Sequence, residues 1–432
     1  MELANDDTPS SVEVEKAFDV AAKYIHSKES FSSEMLVDEP IANLIDKTVE
    51  YLSTGIKKGV EEHEPSELMV TKLEENVGVF SGFKTFHEMK EASNLLLDEK
   101  GNIKPFERYA NEVRTLNNTY NKNYLRAEYH FTVASSEMAA RWEELEDDDD
   151  GRYLLQYCTA EDDKVRASHA KLNGVTLPPS DPFWDIFYPP NGWGCRCDVS
   201  KVLGYRNPAT DSDEAMKNGL EATKGKYSEM FRFNSGKQKT VFPAHNSYTI
   251  AKCSTCSKNG LELAKIPSNE LCAACPIIRE CAEYSRVPTK RGVVRIHNSH
   301  GKSEAKENIK IASYFAEKYE HNIDLLPLKN KSKGSDAYNH TLKRAVEFKE
   351  NVTNSVNSID SAIRSASKQA NDIVLWISSD ITEVTLRNAV NGRVKRCSEI
   401  QSITIVRGGK DITYKRDSII DNGFKINWSD LK

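Results

Sequence analysis

Apolar side chains recur at helical spacing through most of the first 142 residues. Three stretches have a period of about 3.6 residues, which places their apolar positions on one face of an α-helix. Their members are Val14, Phe18, Ala21, Ala22 and Ile25; Ile41, Leu44, Ile45, Val49, Leu52 and Ile56; and Phe106, Tyr109, Val113, Leu116, Tyr120, Ala127, Phe131, Met138 and Trp142. The pattern predicts a mainly α-helical N-terminal part with the aromatic residues in its core.

From Pro288 onward the pattern changes between helix and strand. The predicted elements are helices over 303–319 and 356–370 and strands over 322–326, 373–377, 402–406 and 412–416. Apolar and polar residues also alternate over a further strand, with Val346 and Phe348 on one side and Glu347 and Lys349 on the other. This part is therefore predicted to be an α/β unit with a small mixed sheet.

The segments between these two parts are irregular. Residues 152–159 look like a strand, but 177–198 are rich in Pro, Gly and Trp, which predicts a rigid loop rather than helix or central strand. Residues 204–248 are rich in Asn, Ser, Gly and Lys and have few apolar anchors. We expect them to form an extended arm or linker.

Length and composition favour a multidomain protein that folds in a cytoplasm. The chain has 432 residues, 38% of them hydrophobic and 29% charged, which exceeds the usual size of a single core. It has no apolar run near the ~20 residues that cross a bilayer, and its acidic start lacks the features of a secretory signal. We therefore expect no membrane partner.

Charge is distributed unevenly along the chain. Residues 288–432 contain 25 Lys and Arg against 17 Asp and Glu, a balance of +8, which leaves 34 against 48 for the rest. A basic C-terminal part is better suited than the acidic remainder to contact a polyanion such as nucleic acid.

A group of motifs in the middle of the chain points to a known family. The motifs are Thr159-x2-Asp162-x3-Arg166-x2-His169, Asp181-Pro182-Phe183-Trp184 and Pro189-Pro190-Asn191-Gly192-Trp193-Gly194-Cys195-Arg196-Cys197. They resemble the signature of phage Mu protein F-like head morphogenesis proteins, over about 82–202. The resemblance implies a minor capsid protein of a tailed-phage head, located in the virion, with portal and capsid proteins as partners.

Two interpretations of this motif remain open. His169, Cys195 and Cys197 are ligand types that zinc prefers, although no fourth ligand is evident. Alternatively, Asp162, Arg166 and His169 form a buried polar group that locks the Pro-rich loop.

A four-cysteine motif gives the strongest spacing signal in the chain. Cys253 and Cys256 form one Cys-x2-Cys pair, and Cys272 and Cys275 form a second, with Cys281 as a substitute candidate. Two such pairs on tight turns complete a tetrahedron of thiolates around Zn²⁺. The spacing predicts a structural zinc knuckle without an open coordination position, whereas free or redox-active thiols are the alternative.

The predicted strand of the basic region carries candidate catalytic groups. Glu347 and Lys349 share one side of that strand, and Asp336 lies in the polar turn before it. Acidic oxygens that hold a divalent cation beside a lysine are suited to phosphodiester cleavage. Glu307, or less favourably Glu304, offers a further carboxylate from the preceding helix.

The order of these elements adds to the argument. A helix, a strand, Asp336, Glu347-x-Lys349 on a strand, a helix that ends near Gln369 and an apolar strand resemble PD-(D/E)xK nucleases. The region looks especially like the C-terminal tRNA-cleaving domains of contact-dependent growth inhibition toxins. The resemblance implies that Asp336 and Glu347 bind Mg²⁺ or another divalent cation, that Lys349 orients water or stabilises the phosphorane, and that Gln369 supports the site. Ser335 stands where the family has proline.

Other functions compete with this one. A metal-independent RNase would use the RNA 2′-hydroxyl with acid and base groups, for which the candidates are His297, His300, His321 and His340. Tyr338 and Trp376 are candidates for base stacking. A non-enzymatic alternative is a portal-proximal capsid protein whose basic C-terminal part binds nucleic acid.

Together these observations predict five regions. They are a helical N-terminal region over 1–80, an F-like head domain over 81–205, a linker over 206–250, the zinc knuckle over 251–287 and a nuclease-like domain over 288–432. The predicted protein is a minor head protein with a metal-dependent, tRNA-cleaving toxin domain. Its predicted locations are the virion and the bacterial host cytoplasm, and an immunity protein is a further candidate partner.

Overall fold

The computed structural model describes residues 9–147, 152–225, 227–249, 268–328 and 334–431. The chain divides into two compact units, Met1–Ala282 and Glu283–Lys432. Within the described ranges, no helix combines the length and hydrophobicity that a membrane span requires. The multidomain organisation predicted from chain length is confirmed, with the second unit beginning five residues before the predicted position.

Five helices span most of residues 12–147 of the first unit, which confirms the predicted helical character of this N-terminal part. They are α1 (Val12–Lys28), α2 (Glu39–Gly59), α3 (Glu67–Asn94), α4 (Phe106–Asn117) and α5 (Leu125–Asp147). Local sequence sets their starts: Pro40 lies in the first turn of α2, and the Ser66 hydroxyl accepts a hydrogen bond from the amide of Met69 at 3.1 Å. The predicted division at residue 80 is wrong, because α3 runs through it.

A π-helical segment, Asn118–Tyr124, joins α4 to α5. The aromatic stripe predicted over 106–142 is therefore confirmed as almost continuous helix, and its side chains Tyr109, Tyr120 and Phe131 are buried. The carbonyl of Tyr120 also accepts a hydrogen bond from Lys84 Nζ at 2.8 Å. The wider turn thus supplies an oxygen to a buried cation on α3.

A small antiparallel sheet follows the helices. Its strands are β1 (Tyr153–Cys158), β2 (Thr176–Leu177) and β3 (Asp198–Leu203), in the order β2-β1-β3. Two short helices, α6 (Ala167–Ala170) and α7 (Phe183–Phe187), lie in the Pro- and Trp-rich stretch. The apolar side chains of that stretch are buried in a second core: Phe183, Trp184, Phe187 and Tyr188. These buried aromatic residues anchor the stretch to the second core.

The prediction of an extended linker over residues 206–250 is wrong. Residues 206–250 contain α8 (Ser212–Ala222) and α9 (Ser235–Gln238). Phe242 stacks on Phe80 of α3 with ring centroids 3.6 Å apart, and Gly236 lies directly against Trp142. These isolated anchors carry no periodic pattern, so composition alone suggested an arm.

The prediction of a separate zinc knuckle over residues 251–287 must also be revised for residues 268–282, which the structure describes. Residues 268–282 form helix α10 (Ser268–Ala282), not a tight turn. Ile278 and Ala282 of α10 pack on Gly82 and Gly78 of α3. This helix therefore belongs to the core of the first unit, because small residues on α3 let the two helices approach closely.

The second unit is built on a mixed sheet of eight strands, larger than predicted. Its order is β11-β10-β9-β8-β7-β6-β5-β4. The strands are β4 (Tyr284–Val287), β5 (Val293–His297), β6 (Asn322–Leu325), β7 (Ala337–Asn339), β8 (Arg344–Asn351), β9 (Asp372–Ile377), β10 (Ser402–Arg407) and β11 (Lys410–Lys415). The α/β class and the alternation along β8 are confirmed, whereas β4, β5 and β7 were not predicted.

Helices cover the two faces of this sheet unequally. The helices are α11 (Lys302–Tyr319), α12 (Val356–Ala366), α13 (Glu383–Arg396) and the short α14 (Arg416–Ile420). Residues of α11 share a buried cluster with Val346 and Phe348 of β8, whereas α12 and α13 pack on Ile373 and Leu375 of β9. Because Glu347 pairs with Ile373 across the sheet, it lies on the α12 face.

Candidate functional site

The second unit brings Asp336, Glu347 and Lys349 together. Asp336 immediately precedes β7, which runs antiparallel to β8 with Ala337 opposite Val346. Asp336 is therefore next to Glu347 across the ladder, and Lys349 follows two positions along β8 on the same face. The sheet register, which local sequence does not reveal, creates this proximity.

One side-chain hydrogen bond, one longer ion pair and two backbone amides link the three residues. Lys349 Nζ lies 2.7 Å from Oε1 of Glu347 and 3.9 Å from Oδ2 of Asp336. The Asp336 amide donates to Oε2 of Glu347 at 3.1 Å, and the Phe348 amide donates to Oδ2 of Asp336 at 2.9 Å. Backbone and side-chain bonds together fix the two carboxylates in one place.

Burial gives Glu347 an unusual protonation equilibrium. Its side chain is 0% exposed, and this burial, with the charge of Asp336, raises its pKa to about 7. Burial opposes the charge of Lys349, but the hydrogen bond to Glu347 and the negative charge of Asp336 raise the lysine pKa overall. The site holds two carboxylates near the single positive charge of Lys349. A divalent cation would reduce the electrostatic repulsion between the two carboxylates.

The supporting residues differ in their placement. Gln369, three residues after α12, donates from Nε2 to Oε1 of Glu347 at 2.6 Å. Glu304, on the first turn of α11, is the helix carboxylate whose charge acts on Lys349. Glu307 is exposed one turn later. The structure therefore brings Gln369 to the trio. Of the two predicted helix carboxylates, Glu304 is the one whose charge contributes to the raised pKa of Lys349.

A polar sheet surface continues from the trio across β7, β6 and β5. On this face Asp324 of β6 accepts two hydrogen bonds from Arg295, both at 2.8 Å, and one from His340 Nε2 at 2.7 Å. Tyr338 packs edge-on against His340 with centroids 5.0 Å apart. Sequence reasoning suspected His340 and Tyr338 but missed Arg295 and Asp324, whose only signal is their alternation with buried Val294 and Ile323.

The histidines proposed for a metal-independent RNase are each engaged by different partners. His297 is 3.1 Å from a Glu283 oxygen. Buried His300 is 2.6 Å from the Leu326 carbonyl, and His321 stacks against Tyr319 and lies 3.0 Å from Asn339. His340, paired with Asp324, and His297, two positions after Arg295 on β5, lie on the same sheet face as the trio.

The four predicted zinc-ligating cysteines are only half described. Cys253 and Cys256 lie outside the described residues. Cys272 and Cys275 are one turn apart on α10; Cys272 is exposed, and Cys275 Sγ accepts a hydrogen bond from Arg279 Nε at 3.3 Å. Two thiols one helical turn apart can bind the same ion, so the zinc knuckle stays a prediction.

Comparison with known proteins gives matches to one family. Residues 102–200, from just before α4 to β3, match the family described as Phage Mu protein F like protein. The matched range lies within the 82–202 region that resembles this family and supports the head morphogenesis part of that resemblance. It ends before the second unit begins at residue 283.

Two curated relatives agree with this match. The Mu-like prophage FluMu F protein of Haemophilus influenzae is 39% identical over 67 residues, which are 16% of this chain and 16% of that protein. The putative capsid assembly protein F of Escherichia phage Mu is 33% identical over 112 residues, 26% of this chain and 23% of the relative. The matches thus span less than a quarter of either relative. No solved structure matches the chain.

Proposed function

We propose that this protein is a phage minor head protein whose second unit is a metal-dependent endoribonuclease. The F-like match over residues 102–200 supports the first half. The second half rests on one observation: the pairing of β7 with β8 brings Asp336, which directly precedes β7, next to Glu347 and Lys349 of β8.

The residues fit a magnesium site. Mg²⁺ is commonly bound by one or two carboxylates together with water and substrate phosphate oxygens. Asp336 and Glu347 offer those carboxylates, and Lys349 supplies a positive charge 2.7 Å from Glu347. A bound Mg²⁺ would neutralise charge on the phosphate and lower the pKa of a bound water.

The protein side chains would divide the remaining work. In the hydrolysis, water forms a bond to phosphorus, one ester P–O bond breaks, and the departing oxygen takes a proton. Lys349 is placed to orient the attacking water or to stabilise the added negative charge. Gln369 holds the Glu347 carboxylate in position through its 2.6 Å hydrogen bond.

RNA is the substrate class that we favour. The polar face beside the trio carries the Arg295 guanidinium, the Tyr338 ring and His340, groups that bind phosphate or stack on unpaired bases. The net balance of +8 over residues 288–432 fits a polyanionic substrate. The resemblance to toxin domains narrows the proposal to tRNA.

We propose one way in which the two functions are combined. The phage Mu relative is named as a putative capsid assembly protein, and we propose the same role, with portal and capsid proteins as partners, for the first unit. A nuclease carried in the head would enter the host with the phage DNA, and an immunity protein would protect the producing cell. Mass spectrometry of purified virions tests this step, since absence of the chain from virions would contradict it.

Cleavage by the full chain tests the nuclease. Purified protein is incubated with total tRNA and Mg²⁺, with or without EDTA, and products are resolved on a denaturing gel. We expect cleavage that EDTA stops and that Glu347→Gln and Lys349→Met each reduce at least a hundredfold. Glu350→Gln is the matched control, because Glu350 lies on the opposite face of β8 and pairs with Lys310 at 2.8 Å.

The other outcomes separate the alternatives. Cleavage that survives EDTA and both substitutions but is lost in His340→Ala would indicate a metal-independent RNase built on His340 and Asp324. Retention of nucleic acid that weakens with salt, without cleavage under any condition, would favour a capsid protein that only binds nucleic acid.

A further inference from the structure

We propose that His169, Cys195 and Cys197 of the first unit bind one zinc ion. The Sγ atoms of Cys195 and Cys197 lie 3.6 Å and 3.7 Å from the same atom, Nδ1 of His169. All three ligand atoms lie within 4.8 Å of one another. This site is distinct from the four-cysteine motif and from the proposed nuclease.

The spacing of the three atoms fits tetrahedral zinc. Zn–S and Zn–N bonds of about 2.3 Å and 2.0–2.1 Å, at a tetrahedral angle, place sulfur and nitrogen about 3.6 Å apart. Both observed S···N distances have this value to within 0.1 Å. The protein thus holds the three groups at a separation that the metal itself would impose.

Hydrogen bonding alone does not explain why both sulfurs approach one nitrogen. Nδ1 of an imidazole has one in-plane position, which is either a lone pair or a hydrogen. It can therefore make one good hydrogen bond with a thiol, and the second sulfur must use other partners, such as the Tyr157 hydroxyl beside Cys197. His169 is 4% and Cys195 8% exposed, so bulk solvent has little access to either group. A metal ion satisfies all three groups together.

The first unit brings the ligands together from two distant segments. His169 lies on α6, and the cysteines stand in the loop that leads into β3, 26 residues later for Cys195. Gly194 has φ +65°, a left-handed conformation that glycine adopts without strain, and it turns the chain just before Cys195. The metal would fasten this loop to α6.

Neighbouring ion pairs hold the same loop. Asp162 accepts two hydrogen bonds from Arg196, both at 2.6 Å, and Arg166 donates to the carbonyl of Trp193. The sequence suggested a buried polar group of Asp162, Arg166 and His169, and this prediction is wrong. Asp162 pairs with Arg196 and not with Arg166 or His169. This leaves the imidazole of His169 directed at the two thiols.

A small cavity adjoins the three ligand atoms. A cavity of about 20 Å³ is bounded by His169, Cys195 and Cys197 and by the side chains of Lys164, Arg166 and Arg196. That volume holds about one water molecule. Two thiolates would neutralise Zn²⁺, so the buried site would carry no net charge. We assign the fourth coordination position to water.

Zinc content of the full chain tests the proposal. Because the four-cysteine motif is a second predicted zinc site, the measurement uses the Cys272→Ser/Cys275→Ser background, purified without chelator and analysed by inductively coupled plasma mass spectrometry. We expect about one zinc per chain. Adding Cys195→Ser/Cys197→Ser should remove it, whereas adding Cys158→Ser should not, since Cys158 Sγ contacts Ser200 at 3.4 Å outside the cluster.

A measurement on the unmodified chain guards against misfolded variants. Thiols are alkylated with and without a zinc chelator, and each cysteine is identified by peptide mass spectrometry. Cys195 and Cys197 should be protected at least tenfold until the chelator is added, while Cys158 reacts equally in both cases. Equal reactivity of Cys195 with and without chelator, recovery of a Cys195–Cys197 disulfide, or a zinc-free Cys272→Ser/Cys275→Ser chain would overturn the proposal.

Discussion

The Nζ atom of Lys349 lies 2.7 Å from the Oε1 atom of Glu347, a residue two positions earlier on the same strand. The glutamate is buried, and the lysine side chain is 23% exposed. The pair therefore links an interior carboxylate to the accessible face of the sheet, where Asp336 joins it. A buried carboxylate with a raised pKa, paired with a partly exposed lysine, is typical of functional sites.

Substitution of Gln369 should weaken the proposed activity without removing it. Gln369 donates to Oε1 of Glu347 at 2.6 Å, so Gln369→Ala frees the carboxylate to rotate. We expect about a 10–100-fold loss of tRNA cleavage and a higher Mg²⁺ requirement. Mg²⁺ titrations of the cleavage rate measure both. Gln401→Ala, at an exposed position, is the control, and an equal loss in that variant would contradict the positioning role.

Metal binding should depend on pH through Glu347. Burial and the charge of Asp336 raise its pKa to about 7, and only the ionised carboxylate binds a cation. The Mg²⁺ concentration for half-maximal cleavage should therefore fall about tenfold from about pH 5.5 to about pH 6.5, then level off above about pH 7.5. If the half-maximal Mg²⁺ concentration does not change between about pH 5.5 and about pH 6.5, the Glu347 pKa is not raised by burial, and the prediction is wrong.

The buried charges of the first unit predict a second pH effect. Burial raises the pKa of Glu88 to about 7 against the attraction of Lys84, while the Glu128 charge raises it further. Since the folded state keeps this proton above the ordinary pKa of 4.5, the Glu88 contribution to stability is greatest below about pH 4.5 and is lost as pH rises to about 7. The loss is about 3 kcal/mol.

The difference between variant and wild type isolates this contribution. Glu88→Gln should become more stable relative to wild type as pH rises from about 5 to about 7.5, because other titrating groups cancel. Denaturant midpoints followed by circular dichroism give the comparison. Exposed Glu99→Gln should show a constant difference, and the same pH trend in that variant would argue against Glu88 as its source.

Close packing of the segment before residue 250 can be tested at Gly236. An added Cβ would lie 2.1 Å from the Cβ of Trp142 on α5, so Gly236→Ala must displace one chain segment. We expect a loss of about 2–3 kcal/mol in the free energy of unfolding. Gly392→Ala on α13 is the contrast, since its nearest atom would be 3.7 Å away, and it should gain about 0.5–1 kcal/mol. No loss at Gly236 would indicate a loosely attached arm.

The sequence alone proposes the side chains of the trio but not the geometry that joins them. Alternation along β8 puts Glu347 and Lys349 on one side of a strand whatever the partner strands are. The position of Asp336 depends on the register between β7 and β8. Gln369 reaches Glu347 only because α12 returns the chain across the sheet, and no local pattern specifies where that return ends.

The sequence by itself determined the long helices, the strand alternation around Glu347 and the segment that matches the F-like family, because each depends on periodicity or motif spacing within one stretch of chain. Tertiary structure alone decided that 206–249 packs into the first unit, that α10 lies on α3, and that His169 meets Cys195 and Cys197. Those contacts join residues tens to hundreds of positions apart. Their free energy comes from burial and from hydrogen bonds that exist only after the segments meet, so no local pattern records them.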